Sequence, residues 1–184
     1  ADYFLIVTCL SMWIKSYAET PQESADANAR ISLLINIFYG LNFFFNFFYG
    51  VLLDRVPTIL LTLFTVFFGF LGYICIIFAE DDKSILVIFL IVLAGIAMPG
   101  FFNCGIYLSN KHYPHELRGT LSSIVNVFGL AGYLFVSILG GYLYDHFNKK
   151  SPFVLYDIML VSSIFVIIYV RRVFKRRKEE QNAQ

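Results

Sequence analysis

The sequence predicts an all-α membrane protein, a polytopic bundle of about six transmembrane helices. Of its 184 residues, 58% are hydrophobic and 15% are charged, and the mean hydropathy is +0.69. A soluble domain of this length has too little interior to bury so many apolar side chains. The apolar residues also fall into runs separated by short charged segments, and roughly 20 apolar residues are needed to cross the hydrocarbon core of a bilayer.

Six apolar runs are predicted to be spans. They cover residues 3–18, 31–53, 58–79, 85–108, 121–144 and 153–170. The first is short for a span and suggests an incomplete helix, with Trp13 and Tyr17 as interfacial anchors and Lys15 near enough to that end to reach water. We therefore divide the chain into a six-span bundle at residues 1–170 and a basic polar tail at residues 171–184.

The connections between the spans carry most of the charge. The second span follows a polar segment, residues 19–30, which we interpret as a loop followed by a helix start. The third span begins directly after Pro57, a favourable place for proline at a helix entrance. The charged turn at residues 80–83 is so short that spans three and four must be antiparallel neighbours. Within span four, Pro99 and Gly100 predict a kink or a weakened helix, because proline removes a backbone hydrogen bond.

Small residues mark where helices could pack closely. Ser137 and Gly141 are four residues apart in span five, a spacing that lets two helix backbones approach. The candidate helix-packing residues are Gly50, Gly129, Gly132, Ser137, Gly140 and Gly141.

The distribution of basic residues predicts the orientation. Six of the 14 Lys and Arg residues lie in the tail, and a basic segment after an apolar helix typically stays in the cytoplasm and meets anionic lipid headgroups. We therefore place both ends of the chain and the loop at Asp54 and Arg55 in the cytoplasm, or in the matrix if the membrane is mitochondrial. The sequence leaves open which membrane this is: the plasma membrane, or an organelle membrane such as the mitochondrial inner membrane.

Two motifs resemble a known family. Residues 50–55, Gly-x-Leu-x-Asp-Arg, resemble the signature loop of the major facilitator superfamily, which recurs between the second and third helices of each six-helix half. Residues 113–120, Tyr-Pro-His-Glu-Leu-Arg-Gly-Thr, and the glycine-rich helix that ends at Asp145 are similar to the region of its tenth and eleventh helices. The resemblance implies one half of a major-facilitator-type fold, the C-terminal half with spans seven to twelve. The chain departs from the family at Pro57-Thr58, where glycine and further basic residues are usual.

Four charges are predicted to form a gating cluster on the tail's side. A carboxylate such as Asp54 is stabilised near the N-terminus of a neighbouring helix, and span five begins on the same side. Arg55 can pair with Glu116, and Arg118 completes the set. The resemblance implies that such a cluster stabilises one access state and releases in the other. The alternative is that these are ordinary loop charges.

Polar side chains inside the spans are candidates for a solute or ion site, since they are costly in lipid. Asn42 and Asn46 share one helix face, and they could bond a solute or hold two helices together. Asn103, just after the Pro99-Gly100 pair, and Asn126 are candidates of the same kind. Asp157 is either a proton or cation site or a carboxylate that reaches the interface, Lys149 or Lys150.

Nothing in the chain predicts catalysis, a metal or a cofactor. The three cysteines lie in apolar runs and are interpreted as small hydrophobic residues, and the three histidines are predicted to lie in loops. The sequence lacks a nucleophile elbow, a carboxylate pair and a phosphate-binding loop, so we expect no enzyme activity. The basic tail has no accompanying nucleic-acid-binding motif, so no nucleic-acid partner is expected.

Two functions remain open. The chain is either the C-terminal half of a secondary transporter, which moves a small solute by alternating access together with an N-terminal six-helix half, or an inactive, transporter-derived structural or accessory subunit of a larger membrane complex such as a respiratory assembly. The expected partners are the lipid bilayer, the missing half or other membrane subunits, and a small solute if the protein is active.

Overall fold

The computed structural model describes residues 4–112 and 115–182, and every element in those ranges is helical. A π-helical segment, Phe4–Leu10, leads into α1 (Ser11–Lys15). The longer helices are α2 (Pro21–Arg55), α3 (Thr58–Phe78), α4 (Ile85–His112), α5 (Arg118–His146) and α6 (Ser151–Asn182), with a 3₁₀ turn at His115–Leu117 before α5. The all-α helical bundle predicted from the sequence is confirmed.

Helices α2 to α6 are each long and apolar enough to cross a membrane. The first span is a shorter apolar helix, Ile6–Lys15, in agreement with the incomplete helix expected there. Helix α6 continues as one helix to Asn182, so the boundary at residue 170 stays a prediction. Residues 113–114 of the second family-like motif, and all side chains of the tail except that of Arg172, lie outside the described part of the chain.

Helix α2 begins ten residues before the predicted second span because a capping box starts it. The Oγ1 atom of Thr20 accepts a hydrogen bond from the Glu23 N–H at 3.2 Å, and Glu23 Oε2 accepts one from the Thr20 N–H at 3.1 Å. Pro21 occupies the first turn, where its missing N–H costs nothing. The polar segment before the second span is therefore mostly helix and only briefly loop.

Helix α4 passes through Pro99 as one continuous helix. The adjacent Gly100 lies where α4 meets its neighbours most closely: a Cβ atom placed there would overlap Cγ2 of Thr65 on α3 and lie 2.7 Å from Cε1 of Tyr49 on α2. The glycine is therefore required by the approach of three helices.

Helices α3 and α4 form the most extensive helix pair, with α2 packed on α4 and α6 packed on α3. The main core contains Trp13, Phe38, Tyr73 and Phe153, each at most 1% exposed. A smaller cluster around Tyr49 lies at the other end of α2. Helix α5 is different, because all its described side chains from Arg118 to residue 135 are exposed.

Three connections meet at one end of the bundle. The Tyr17 hydroxyl donates to the Glu80 carbonyl at 3.1 Å, and Arg30 pairs with Asp82 at 3.6 Å. The ammonium of Lys150 donates to the carbonyls of Ile77, at 3.2 Å, and of Ala79. The α1–α2, α3–α4 and α5–α6 connections therefore share one end, and the alternation of the helices places the Asp54 end of α2 and the start of α5 at the other.

Candidate functional site

A hydrogen-bonded row of three carboxamides joins α2 to α4, and we call Asn42, Asn46 and Asn103 the amide ladder. Asn103 Nδ2 donates to Asn46 Oδ1 at 2.7 Å, and Asn46 Nδ2 donates to the Asn42 backbone carbonyl at 3.1 Å and to Asn42 Oδ1 at 3.3 Å. Asn103 also donates to the carbonyl of Pro99, one turn earlier on α4, at 2.8 Å. Asn103, which the sequence marked apart from the pair Asn42 and Asn46, is thus joined to that pair in one connected group.

The amide ladder runs from the interior of the bundle to its surface. Asn42 is 6% exposed, and its Nδ2 lies 3.4 Å from the Met98 sulfur, a weak acceptor. Asn103 is half-buried and Asn46 is exposed. The oxygen of the Asn103 side chain accepts no hydrogen bond from any described residue, so the outer end of the ladder presents an open acceptor.

Local helix geometry explains this arrangement. Positions four apart on α2 lie on one face, so Asn42 and Asn46 stack along the helix, and Asn103 meets them because α4 packs on that face. A carboxamide in an apolar medium is costly unless it is hydrogen-bonded, which favours mutual pairing. A bound solute could replace this pairing, because each hydrogen bond broken between two carboxamides can be replaced by a hydrogen bond to the solute.

The two helices that carry the amide ladder also carry many exposed aromatic rings. These include Phe43, Phe44, Phe47 and Phe48 on α2 and Phe101 and Phe102 on α4. Carboxamides and rings together form a surface that can hydrogen-bond a small molecule and cover its apolar faces.

The other two candidate solute or ion residues are not part of the ladder. Asn126 is exposed on α5 and hydrogen-bonds no described residue. Asp157 is 5% exposed between α3 and α6, and neither of its oxygens has a hydrogen-bond partner in the described part of the chain. It does not pair with Lys150, whose ammonium is bound to the carbonyls at the end of α3.

The four charges of the predicted gating cluster are all exposed. Asp54 and Arg55 end α2, Glu116 lies in the 3₁₀ turn, and Arg118 begins α5. No ion pair among residues 4–112 and 115–182 joins Asp54 or Arg55 to Glu116. The gating cluster stays a prediction.

Four of the predicted packing glycines face open space within the described part of this chain. A Cβ atom added at Gly50, Gly129, Gly132 or Gly141 would meet nothing within 4 Å. Gly140 is buried, and the Ser137 hydroxyl is buried with no partner among the described residues. Close packing at the open glycines stays a prediction for whatever covers α2 and α5.

Comparison with known proteins decides the family. A family model described as Major Facilitator Superfamily matches residues 2–184. This chain belongs to the major facilitator superfamily. The resemblance seen in the sequence is confirmed, and the chain is an integral, multi-pass membrane protein of a transporter family.

One curated relative of this superfamily chain is Magnetosome protein MamH from Paramagnetospirillum magneticum (strain ATCC 700264 / AMB-1). The two are 23% identical over 181 residues, which is 98% of this chain and 41% of MamH. The chain therefore spans about two fifths of the length of this relative. No solved structure matches this chain.

Sequence reasoning missed two residues, Met98 and Lys150, whose contacts the structure shows. Met98 ends the amide ladder on the inside, and an apolar residue in an apolar run gives no signal of that contact. Lys150 holds the end of α3, with its ammonium also 5.7 Å from the centre of the Trp13 ring. A lysine just before an apolar run was a possible signal, but it was interpreted only as a partner for Asp157. The described residues contain no group of three His, Cys, Asp or Glu side chains that could hold a metal ion.

Proposed function

We propose that the chain is the C-terminal half of a secondary transporter and that the amide ladder is its part of the solute site, used by alternating access with a second six-helix half. The observation that carries the proposal is the hydrogen-bonded row that runs from buried Asn42 to an open acceptor on Asn103. Polar groups that line an accessible surface at membrane depth are typical of solute pathways.

Exposure within the bundle supports a partner half. Of the most apolar 18 residues of α5, 11% are buried, against 44% in each of α3 and α4. Helix α2 likewise carries exposed rings beside the exposed Asn46. A second bundle placed against α2 and α5 would enclose the outer end of the amide ladder between the two halves. The length of MamH, of which this chain covers 41%, is compatible with such a half.

The chemistry of the amide ladder favours an uncharged solute. Carboxamides offer both donors and acceptors but no net charge, and no described Lys, Arg, Asp or Glu side chain is hydrogen-bonded to the ladder. The neighbouring phenylalanine rings suit a molecule that has apolar faces between its polar groups, as hexoses and polyols do. We therefore infer a small, hydroxyl-bearing neutral solute.

The test uses the protein at its full native length, purified in detergent and screened against a panel of hexoses and polyols by thermal shift. A ligand that binds the folded state raises the melting temperature. We expect at least one panel member to do so, and we expect Asn46→Ala and Asn103→Ala each to remove that shift. Asn36→Ala is the matched control, since Asn36 is exposed on the same helix and hydrogen-bonds no described residue. We expect it to keep the shift.

Uptake of the stabilising solute into proteoliposomes then tests transport itself. We expect uptake by the native protein and its loss in both ladder variants. A solute whose binding survives both substitutions would overturn the site assignment. Binding without any uptake by the full-length protein would overturn the transport mechanism and favour a protein that keeps the site but not the activity.

A further inference from the structure

The proposed solute site leaves the buried carboxyl of Asp157 unexplained, and it is the acidic group among the buried polar atoms that lack a partner in the described part of the chain. It is the seventh residue of α6, about 9 Å along the helix from Ser151 at 1.5 Å per residue. Its side chain is 5% exposed, and both oxygens are buried without a hydrogen-bond donor from the described residues. A buried polar group of this kind requires an explanation.

The surroundings of Asp157 are apolar. A groove of about 330 Å³ between α3 and α6 is lined by Asp157 together with Phe70, Ile74, Ile77, Val154, Ile158, Val161 and Ser162. The Ser162 hydroxyl donates to the Ile158 carbonyl at 2.8 Å. The amide ladder, by contrast, joins α2 to α4, so Asp157 belongs to a different pair of helices.

The charged and titratable groups around Asp157 do not neutralise it. The thiol of Cys75 on α3 is an electrostatic neighbour and cannot supply a positive charge. The ammonium of Lys150 is hydrogen-bonded to the carbonyls at the end of α3. The described residues therefore offer no cation to this carboxylate.

An ionised carboxylate without a partner is strongly disfavoured in such a place, so a cation or a proton must be taken up. Asp157 borders the groove, but neither of its oxygens is exposed there, so an ammonium or a metal ion could bind them only if α3 or α6 moved. A proton needs no such space. We propose that Asp157 is a proton-binding site, occupied while α3 and α6 pack as they do here.

Chemically, the site takes one proton from water onto a carboxylate oxygen, and release returns that proton to water. In a transporter this would make protons the coupling ion. The proton site itself does not depend on the proposed solute site, because the two lie on different helix pairs. Loss of one leaves the other testable.

The direct test is infrared spectroscopy of the full-length protein in lipid nanodiscs at neutral pH. We expect the carbonyl stretch of a protonated carboxyl, which shifts when aspartate is labelled with ¹³C at the side-chain carboxyl and disappears in Asp157→Asn. Asp145→Asn, at an exposed position on the same end of the bundle, should leave the band in place. A missing band, or a band unaffected by Asp157→Asn, would overturn the proposal. The labelled native protein gives the answer about the band even if the variant does not fold.

Thermal unfolding distinguishes a protonated Asp157 from an ionised Asp157 that is paired with a cation. Asparagine is neutral and close in shape to a protonated aspartate, so we expect Asp157→Asn to melt within about 3 °C of the native protein. A fall as large as that caused by removing the Lys150 ammonium would instead indicate an ionised carboxylate with a cationic partner, and would count against the proposal.

Discussion

Gly100 gives the sharpest test of the packing described above, because three helices meet at its Cα. In Gly100→Ala the new methyl group would lie 2.5 Å from Cζ and 2.7 Å from Cε1 of the Tyr49 ring, and it would also overlap Cγ2 of Thr65. Tyr49 is 2% exposed and Thr65 is 1% exposed, so either side chain can move away from the new methyl group only by displacing buried neighbours. The helices must separate, or a side chain must leave its preferred rotamer.

The expected magnitude follows from two opposing terms. Overpacking of a core costs about 1–3 kcal/mol, and the severity of these contacts places Gly100→Ala in the upper half of that range. Alanine in place of glycine in a helix returns about 1 kcal/mol. The net loss of about 1–2 kcal/mol corresponds to a fall in melting temperature of roughly 2–8 °C for a protein of this size.

Gly105→Ala is the matched control on the same helix, because a Cβ atom there meets nothing within 4 Å. Only the helix-propensity term applies, so its melting temperature should stay the same or rise by about 2–4 °C. Unfolding is followed by circular dichroism of the purified protein in detergent. Combining Gly100→Ala with Thr65→Ser, which removes the clashing Cγ2, should recover part of the loss. Equal melting temperatures for Gly100→Ala and Gly105→Ala would refute the close approach of α4 to α2 and α3.

Two further predictions concern the end of the bundle where the three connections meet. Lys150→Met should lower the free energy of unfolding by about 1.5–3 kcal/mol, because it removes charged hydrogen bonds to the last carbonyls of α3. Lys149→Met changes an exposed neighbour and should have little effect in the same thermal assay. Equal losses of stability in the two variants would contradict the specific role of Lys150. Thr20→Ala should lower the free energy of unfolding by about 1 kcal/mol, because it removes the acceptor of the Glu23 N–H. Thr20→Ser keeps a hydroxyl and should keep the cap. A Thr20→Ser variant as unstable as Thr20→Ala would argue against capping by the hydroxyl.

Much of the fold could be predicted because the bilayer imposes a local rule. The predicted third span, residues 58–79, differs from α3 by one residue, since Pro57 and the charged turn at residues 80–83 end the apolar run sharply. The start of α2 was placed less well. Its capping signal, Thr-Pro-Gln-Glu at residues 20–23, is polar and was interpreted with the loop. Hydropathy locates the part of a helix in lipid, and capping chemistry locates its end in water.

By itself the sequence determined the membrane class, the approximate spans, the family and which asparagines are candidates for the site. These features can be recognised from the length of each apolar run and from the residue types within it. Only the tertiary structure decided that Asn103 bonds Asn46 across 57 residues, that Met98 closes the inner end of that row, and that Asp157 is buried without a partner while Lys150 binds α3. Which polar groups meet depends on the rotation and spacing of packed helices. Those are set by contacts such as Tyr49 against Gly100, between residues far apart in the chain.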